Sequence, residues 1–455
     1  MQETLDRIFK LKERGTTVST EVYAGITTFM TMAYILAVNP AILGDAGMDR
    51  NVVFTATALS AFIATMCMAF MANLPFALAA GMGLNAFFAY TVAPQFGWQL
   101  ALCAVFIEGI LFILLSLFNV REAIFNAIPQ TLKYAVSVGI GLFICLVGLT
   151  GSGIIVGSPA TTVTLGNVKS VSAVLTFAGI LIIAILMVNK VKGALLWGIL
   201  LTWVLGMLCQ AGGLYVPNPA AGMYSLYPTG PDGNFALVSL QPSLADYNLI
   251  SAIASGQFSG VSIFDFAVVV TAFLFVDLFD TVGTLIGVSE KAGMLDAKGR
   301  LPRLKQALLS DAIGTTAGAM LGTSTVTTYV ESASGVSVGG RTGLTALVTG
   351  LLFLGSLVFA PLFAAIPAFA TAPALIFVGL FMVEAIVKID FTDYSEGLPA
   401  FLCIVMMPFA YSISEGLIFG VLGYVLIKAL TGQAKAVSAV MYVVAFLFML
   451  KLVLG

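Results

Sequence analysis

Long apolar runs, each about 17–25 residues, follow one another along almost the whole chain, separated by short polar or glycine- and proline-containing breaks. In hydrocarbon every backbone N–H and C=O must be satisfied within the segment itself, so runs of this length read as membrane-crossing helices rather than barrel strands. They fall near 22–42, 52–73, 77–94, 97–118, 132–150, 171–189 and 193–212, then near 264–288, 308–322, 325–338, 342–365, 370–387, 398–412 and 415–431. That makes about fourteen segments, some of them short. Residues 437–454 are apolar as well and read either as one more helix or as a tail lying on the surface. The pattern predicts an all-α polytopic membrane protein, with residues 1–455 forming a single membrane domain.

Seven segments precede the long polar stretch 213–262 and seven follow it, and an odd number per half places the halves in opposite orientations, which is the arithmetic of an inverted repeat. The halves also carry matching interruptions. The third segment, "LPFALAAGMGLNAFFAYTVAP", is short, broken by glycines and holds Asn85; the tenth, "TSTVTTYVESASGVSVGGR", is short, broken by Gly and Ser and holds Glu331. Paired broken segments point to a binding site near the midplane, since irregular backbone at that depth must line a cavity.

Composition agrees with this pattern: 60% of residues are hydrophobic and 9% charged, against about 25% charged in soluble proteins, and the mean hydropathy is +1.05. The net charge of −2 matters less than where the charges sit. Arg7, Lys10, Lys12 and Arg14 precede the first segment, Arg121 and Lys133 flank the fourth and fifth, Lys190 and Lys192 follow the sixth, and Lys291, Lys298, Arg300, Arg303 and Lys305 follow the eighth. All belong to one side, which the positive-inside bias makes the cytoplasm, with Arg50 and Lys169 against the trend. Residues 1–21 then form a cytoplasmic N-terminal segment and 213–262 an extracytoplasmic loop. The polar N-terminus "MQETLDRIFKLKERGTT" is followed by no short cleavable apolar region, so no secretory signal is expected. Cys67, Cys103, Cys145, Cys209 and Cys403 all lie in apolar runs without metal-ligand spacing and read as small core residues.

Carboxylates at membrane depth are costly and mark function by default. The eighth segment holds Asp265, Asp277 and Asp280; positions 277, 280 and 284 share a helical face, so Asp280 and Thr284 are expected to address one cavity. No Lys or Arg lies within the segments of Asp280 and Glu331 to pair with them. Glu108 reads as a relay or an interhelical hydrogen bond, whereas Glu21 and Asp311, near expected helix starts, read as structural partners of the helix dipole. Phe29, Phe87, Phe88, Phe279 and Tyr329 are packing residues by default, of which one or two near Asn85 and Glu331 could stack on a planar ligand. The chain has no histidine, so any coupled proton must travel on carboxylates. That absence also removes Ser-His-Asp triads and most zinc sites, and no metal or cofactor is expected.

The stretches "FKLKERGTTVSTEVYAGITTFMTMAYILAVNP" (9–40), "GMGLNAFFAY" (81–90), "LFDTVGTLIGV" (278–288), "TSTVTTYVESASGVSVGGRTGLTA" (323–346) and "ATAPALIFVGLFM" (370–382) closely resemble the AzgA-like purine permeases of the nucleobase:cation symporter-2 superfamily, over essentially the whole chain. The resemblance implies fourteen spans in two inverted sevens, with core halves at 22–118 and 263–365 and gate halves at 132–212 and 370–431. It further implies a short strand in spans 3 and 10, each followed by a half-helix. It makes Asn85, Asp280 and Glu331 the polar positions of spans 3, 8 and 10; beside them, Thr284, Ser332, Phe29, Phe87 and Tyr329 are read from the residues themselves as expected substrate contacts. Asp280, Glu331 and Asp277 become the candidates for proton coupling. Uracil and xanthine relatives often carry a histidine where this chain has Thr284. The implied activity is proton-coupled import of adenine, hypoxanthine or guanine across the cytoplasmic membrane by an elevator motion, with another nucleobase or sodium coupling as the alternative. The sequence leaves the oligomeric state open, a homodimer included, and no nucleic-acid partner is expected. The chemistry suits the substrate, because a carboxylate accepts two adjacent purine N–H donors and an Asn complements a purine edge. An ion channel would line its path with basic groups or carbonyl rings, and a membrane enzyme would have only an aspartyl pair such as Asp277/Asp280.

Overall fold

The computed structural model describes residues 2–117, 128–159, 161–217, 224–228, 243–244, 263–291, 294 and 301–454. Most of the loop expected at 213–262, together with Arg121, Lys298 and Arg300, lies outside the described residues. After a short amphipathic helix α1 (Gln2–Phe9), the first half comprises α2 (Val18–Met32), α3 (Ile35–Asp45), α4 (Arg50–Cys67), β1 (Leu78–Ala80), α5 (Met82–Ala86) and α6 (Trp98–Leu117). It continues with α7 (Gln130–Gly151), a hairpin of β2 (Ile155–Ser158) and β3 (Thr162–Leu165), α8 (Val171–Val188) and α9 (Ala194–Ala211). The second half comprises α10 (Ile263–Lys291), α11 (Leu304–Leu321), β4 (Val326–Thr328), α12 (Ser332–Ser337), α13 (Gly343–Ser356), α14 (Ala368–Val383), α15 (Tyr394–Phe409), α16 (Ile413–Leu430) and α17 (Ala439–Leu454). Among the described residues, nine helices are long and apolar enough to cross a membrane.

The exposed surface is apolar in the way lipid requires. On α8, Val174, Phe177, Leu181, Ile185 and Val188 are exposed at spacings of three and four, while Ala173, Thr176, Gly179 and Ile183 face the protein. In water such a stripe would be a large unpaid apolar patch; in a bilayer it costs nothing.

Two sets of helices pack mainly among themselves: α2, α3, α4, α6, α11 and α13 in one, and α7, α8, α9, α14, α15 and α16 in the other. The terminal helix α17 lies along α16 and touches α10, burying Met441, Val444, Ala445 and Phe448. Residues Ala439–Leu454 of this segment therefore form a helix with one face packed on the protein and Val443, Phe446 and Val453 exposed on the other.

Two polar contacts fix the first set. Glu21, in the first turn of α2, accepts from the backbone N–H of Arg341 (2.8 Å) and Thr345 (3.2 Å) and from the Thr345 hydroxyl (2.6 Å), so it holds the entry to α13. Asn73 Oδ1 accepts from Gly343 N–H at 2.7 Å. At Gly343 a Cβ would run into the carbonyl oxygen of Ala69, so backbone packs on backbone there. Gly343→Ala is expected to destabilise the protein by about 1–3 kcal/mol through overpacking, read as a lowered midpoint of thermal unfolding in detergent; an unchanged midpoint would mean the two helices can separate freely.

Asp311 departs from its expected place. The polar residues before the apolar run extend α11 back to Leu304, so Asp311 is buried well inside the helix and not near its start.

Candidate functional site

The two interrupted segments meet. β1 and β4 pair antiparallel with Leu78 opposite Thr328, Ala79 opposite Thr327 and Ala80 opposite Val326. The ladder extends at both ends, through Gly81 N–H to Thr325 O (2.9 Å) and Tyr329 N–H to Ala77 O (3.0 Å). A two-stranded sheet has two open edges, and at this depth no bulk water can satisfy them. One threonine hydroxyl closes each. Thr65 of α4 donates to Leu78 O (3.1 Å) and accepts from Leu78 N–H (3.0 Å), while Thr315 of α11 donates to Val326 O (2.9 Å) and accepts from Val326 N–H (3.2 Å).

The hydroxyl-rich stretch 323–328 is anchored residue by residue to different helices. Thr323 accepts from Asn39 Nδ2 of α3 (2.8 Å), Ser324 donates to Asn85 Oδ1 of α5, and Thr325 donates to Glu108 Oε2 of α6 (2.8 Å). Thr327 lies 2.6 Å from the hydroxyl of Thr281 on α10, which itself sits 3.0 Å from Asp277 Oδ1 and 2.8 Å from Asp311 Oδ1. Hydroxyls suit this role because each can both donate and accept without bringing a charge. Glycine permits the close crossing: a Cβ on Gly81 would stand 2.6 Å from Thr327 Cγ2.

In front of the paired strands lies a cavity of about 340 Å³. The start of α5 contributes Gly81–Gly83 to its wall, and the turn into α12 contributes Tyr329, Val330 and Glu331. From α10 come Asp280 and Thr284, from the break between α2 and α3 comes Tyr34, and α7 and α14 close the other side with Ser137, Phe381 and Met382. The Tyr34 hydroxyl donates to Glu331 Oε1 at 2.7 Å and the Tyr329 hydroxyl to Ala80 O at 2.5 Å. An adjoining void of about 180 Å³ shares Ser137, Asp280, Thr284 and Met382 and leads past Gln130 and Lys133 at the start of α7. The site thus opens toward one end of the bundle.

Of the residues proposed from the sequence, Asp280, Glu331, Thr284 and Tyr329 line this cavity together. The others sit elsewhere. Asp277 does not share the cavity face of Asp280: it is fully buried beside Thr281 and the back of β4. Asn85 is also fully buried behind the strand, held by Ser324. Ser332 accepts from Ala77 N–H at 3.0 Å and so fixes the strand crossing. Phe29 packs edge-on against Phe353 (5.2 Å between centroids) and Phe87 against Phe273 (4.6 Å). Sequence reasoning missed Tyr34, Ser137, Thr328 and Glu384 as wall residues. Only Thr328 carried a signal, as part of the interrupted segment. Its hydroxyl is buried and has no hydrogen-bond partner among the described residues, which suits a group awaiting a ligand.

The transmembrane domain of a cyanobacterial bicarbonate transporter, BicA, superposes with a TM-score of 0.64 over 87% of this chain and 97% of that one, at 15% identity, so the likeness is one of fold. The adenine permease AdeP of Escherichia coli is 44% identical over 454 residues, covering 99% of this chain and 96% of the relative. The guanine/hypoxanthine permease PbuG of Bacillus subtilis is 42% identical over 453 residues, covering 97% and 98%. A model of the xanthine/uracil permease family matches residues 19–419. A multi-pass helical membrane protein with a polar cavity at the crossing of two broken segments, the chain belongs to this permease family and is a transporter, not an enzyme.

Proposed function

We propose that this chain is a secondary active transporter that imports purine nucleobases (adenine, hypoxanthine or guanine) across the cytoplasmic membrane with a coupled proton. The observation that carries the reading is the convergence of two carboxylates, Asp280 and Glu331, with Thr284, Thr328 and Tyr329 on one cavity of about 340 Å³. That volume is near the lower end of small-molecule sites, about 300–1,000 Å³, and suits a small planar molecule. Ring and exocyclic N–H donors of a purine pair with carboxylate oxygens, and the aromatic rings of Tyr329 and Phe381 supply apolar surface for its faces. The names of relatives such as AdeP and PbuG support the same substrate class.

The fine architecture belongs to the same proposal. Fourteen spans in two inverted sevens account for the matched roles of Thr65 and Thr315 at the two strand edges. The first helix set, with α10, forms a core that carries the site, and the second forms a gate against which the core slides. With the basic ends of the helices in the cytoplasm, as the N-terminus would be, the void leading past Gln130 and Lys133 opens inward.

Uptake of radiolabelled adenine into vesicles under a pH gradient tests the reading. Unlabelled hypoxanthine and guanine are expected to compete more strongly than uracil, and preloaded unlabelled purine should drive counterflow. Uptake that depends on purine but survives a protonophore and collapses with a sodium ionophore would replace the proton by sodium. No purine uptake at all would remove the assignment.

A further inference from the structure

A second cavity, of about 440 Å³, lies farther along α10. The substrate cavity and its extension use Val276, Asp280 and Thr284 of that helix, whereas the second cavity uses Asp265, Val268, Val269 and Ala272. Asp265 and Asp280 are fifteen positions apart, about 22 Å along a helix. Opposite these residues stand Phe87, Thr91, Gln95 and Phe96 of the helix that continues from α5, and Glu415 in the first turn of α16; Leu452 of α17 closes one side. Beside the second cavity, the Phe87 and Phe273 rings meet edge-on at 4.6 Å, both fully buried. Phe87 forms part of the wall of the second cavity, and Phe273 follows Ala272 on α10, on the side nearer Val276 and Asp280.

We propose that the second cavity is an outer nucleobase-binding station, from which substrate passes to the Asp280–Glu331 site when the Phe87–Phe273 contact opens. The proposal rests on the purine reading above. Asp265 and Glu415 accept ring and amino N–H, the Gln95 amide both donates and accepts, and Phe87 and Phe96 offer ring faces. The volume is several times what a bare ion needs. Thr91 is 4% exposed and its hydroxyl has no hydrogen-bond partner among the described residues, which a buried polar group sustains only at a cost that a bound ligand removes.

The experiment compares purine entry from the two faces of the membrane, using right-side-out and inside-out vesicles and radiolabelled adenine. Thr91→Val and Asp265→Asn are expected to raise the KM for entry from the outer face roughly fivefold. The maximal rate from the outer face should rise in proportion, because Vmax/KM from the two faces must stay equal in the absence of a gradient, while the KM and maximal rate from the cytoplasmic face stay unchanged; Thr91→Ser should restore the outer KM. Thr91→Ser against Thr91→Val keeps the test valid if Asp265→Asn fails to fold. An outer KM that does not move, or a KM that moves equally from both faces, overturns the second station while leaving purine transport in place. A wild type that takes up no purine from either face removes the functional reading itself, and this proposal with it.

Discussion

Replacing Glu331 by Gln is expected to weaken purine binding by about 5- to 150-fold, a mismatch of roughly 1–3 kcal/mol. The Tyr34 hydroxyl donates to Glu331 Oε1, and a glutamine can keep that bond by turning its carbonyl toward Tyr34. Its amide NH2 then faces the cavity, where the carboxylate had offered a second acceptor, and meets the N–H donor of the purine head-on. Because the Tyr34 contact survives, the loss should appear in affinity and not in folding. Purine-induced thermal stabilisation of the purified protein reads the effect, and ordinary affinity in Glu331→Gln would take Glu331 out of the site.

Asp280→Asn should abolish accumulation driven by a pH gradient while leaving purine exchange. With no histidine in the chain, a coupled proton needs a carboxylate, and Asp280 lines both the substrate cavity and the void that leads to the end of the bundle. The amide imitates the protonated acid, so the carrier is fixed in one charge state and can only equilibrate its substrate. Proteoliposomes loaded with unlabelled purine report exchange, and an imposed pH gradient reports accumulation. Continued protonophore-sensitive accumulation in Asp280→Asn would move the proton to Glu331 or to Glu108, whose Oε2 accepts from Thr325 behind the strand.

The gap between what was readable and what was not is clearest on α10 and α5. Spacing of three and four correctly grouped Asp280 with Thr284, because that relation depends only on helix geometry. The same rule placed Asp277 with them, yet its side chain is taken up by Thr281 at the back of β4. Periodicity gives the angles between residues on one helix but not how the helix is rotated against its neighbours. Asn85 shows the same limit: its depth was legible, and its partner was Ser324, 239 residues away. Tyr34 was missed for another reason. It sits at a break between α2 and α3 inside "MTMAYIL", where no glycine or proline marks the interruption; Pro40 follows six residues later, inside α3.

By itself the sequence determined that the chain lives in a membrane, roughly where its helices begin and end, and that the segments around Asn85 and Glu331 are not plain lipid-facing helices. Each of these follows from the local cost of placing a residue or a bare peptide group in hydrocarbon, which sums along a short window. Only the tertiary structure decided that the two broken segments pair, that Thr65 and Thr315 close their edges, and that Asp280 and Glu331 share a cavity while Asp277 and Asn85 stand behind it. Hydrogen-bond satisfaction in the interior is met by whichever helix packs alongside, and those partners lie up to hundreds of residues apart in the chain, beyond the reach of any local pattern.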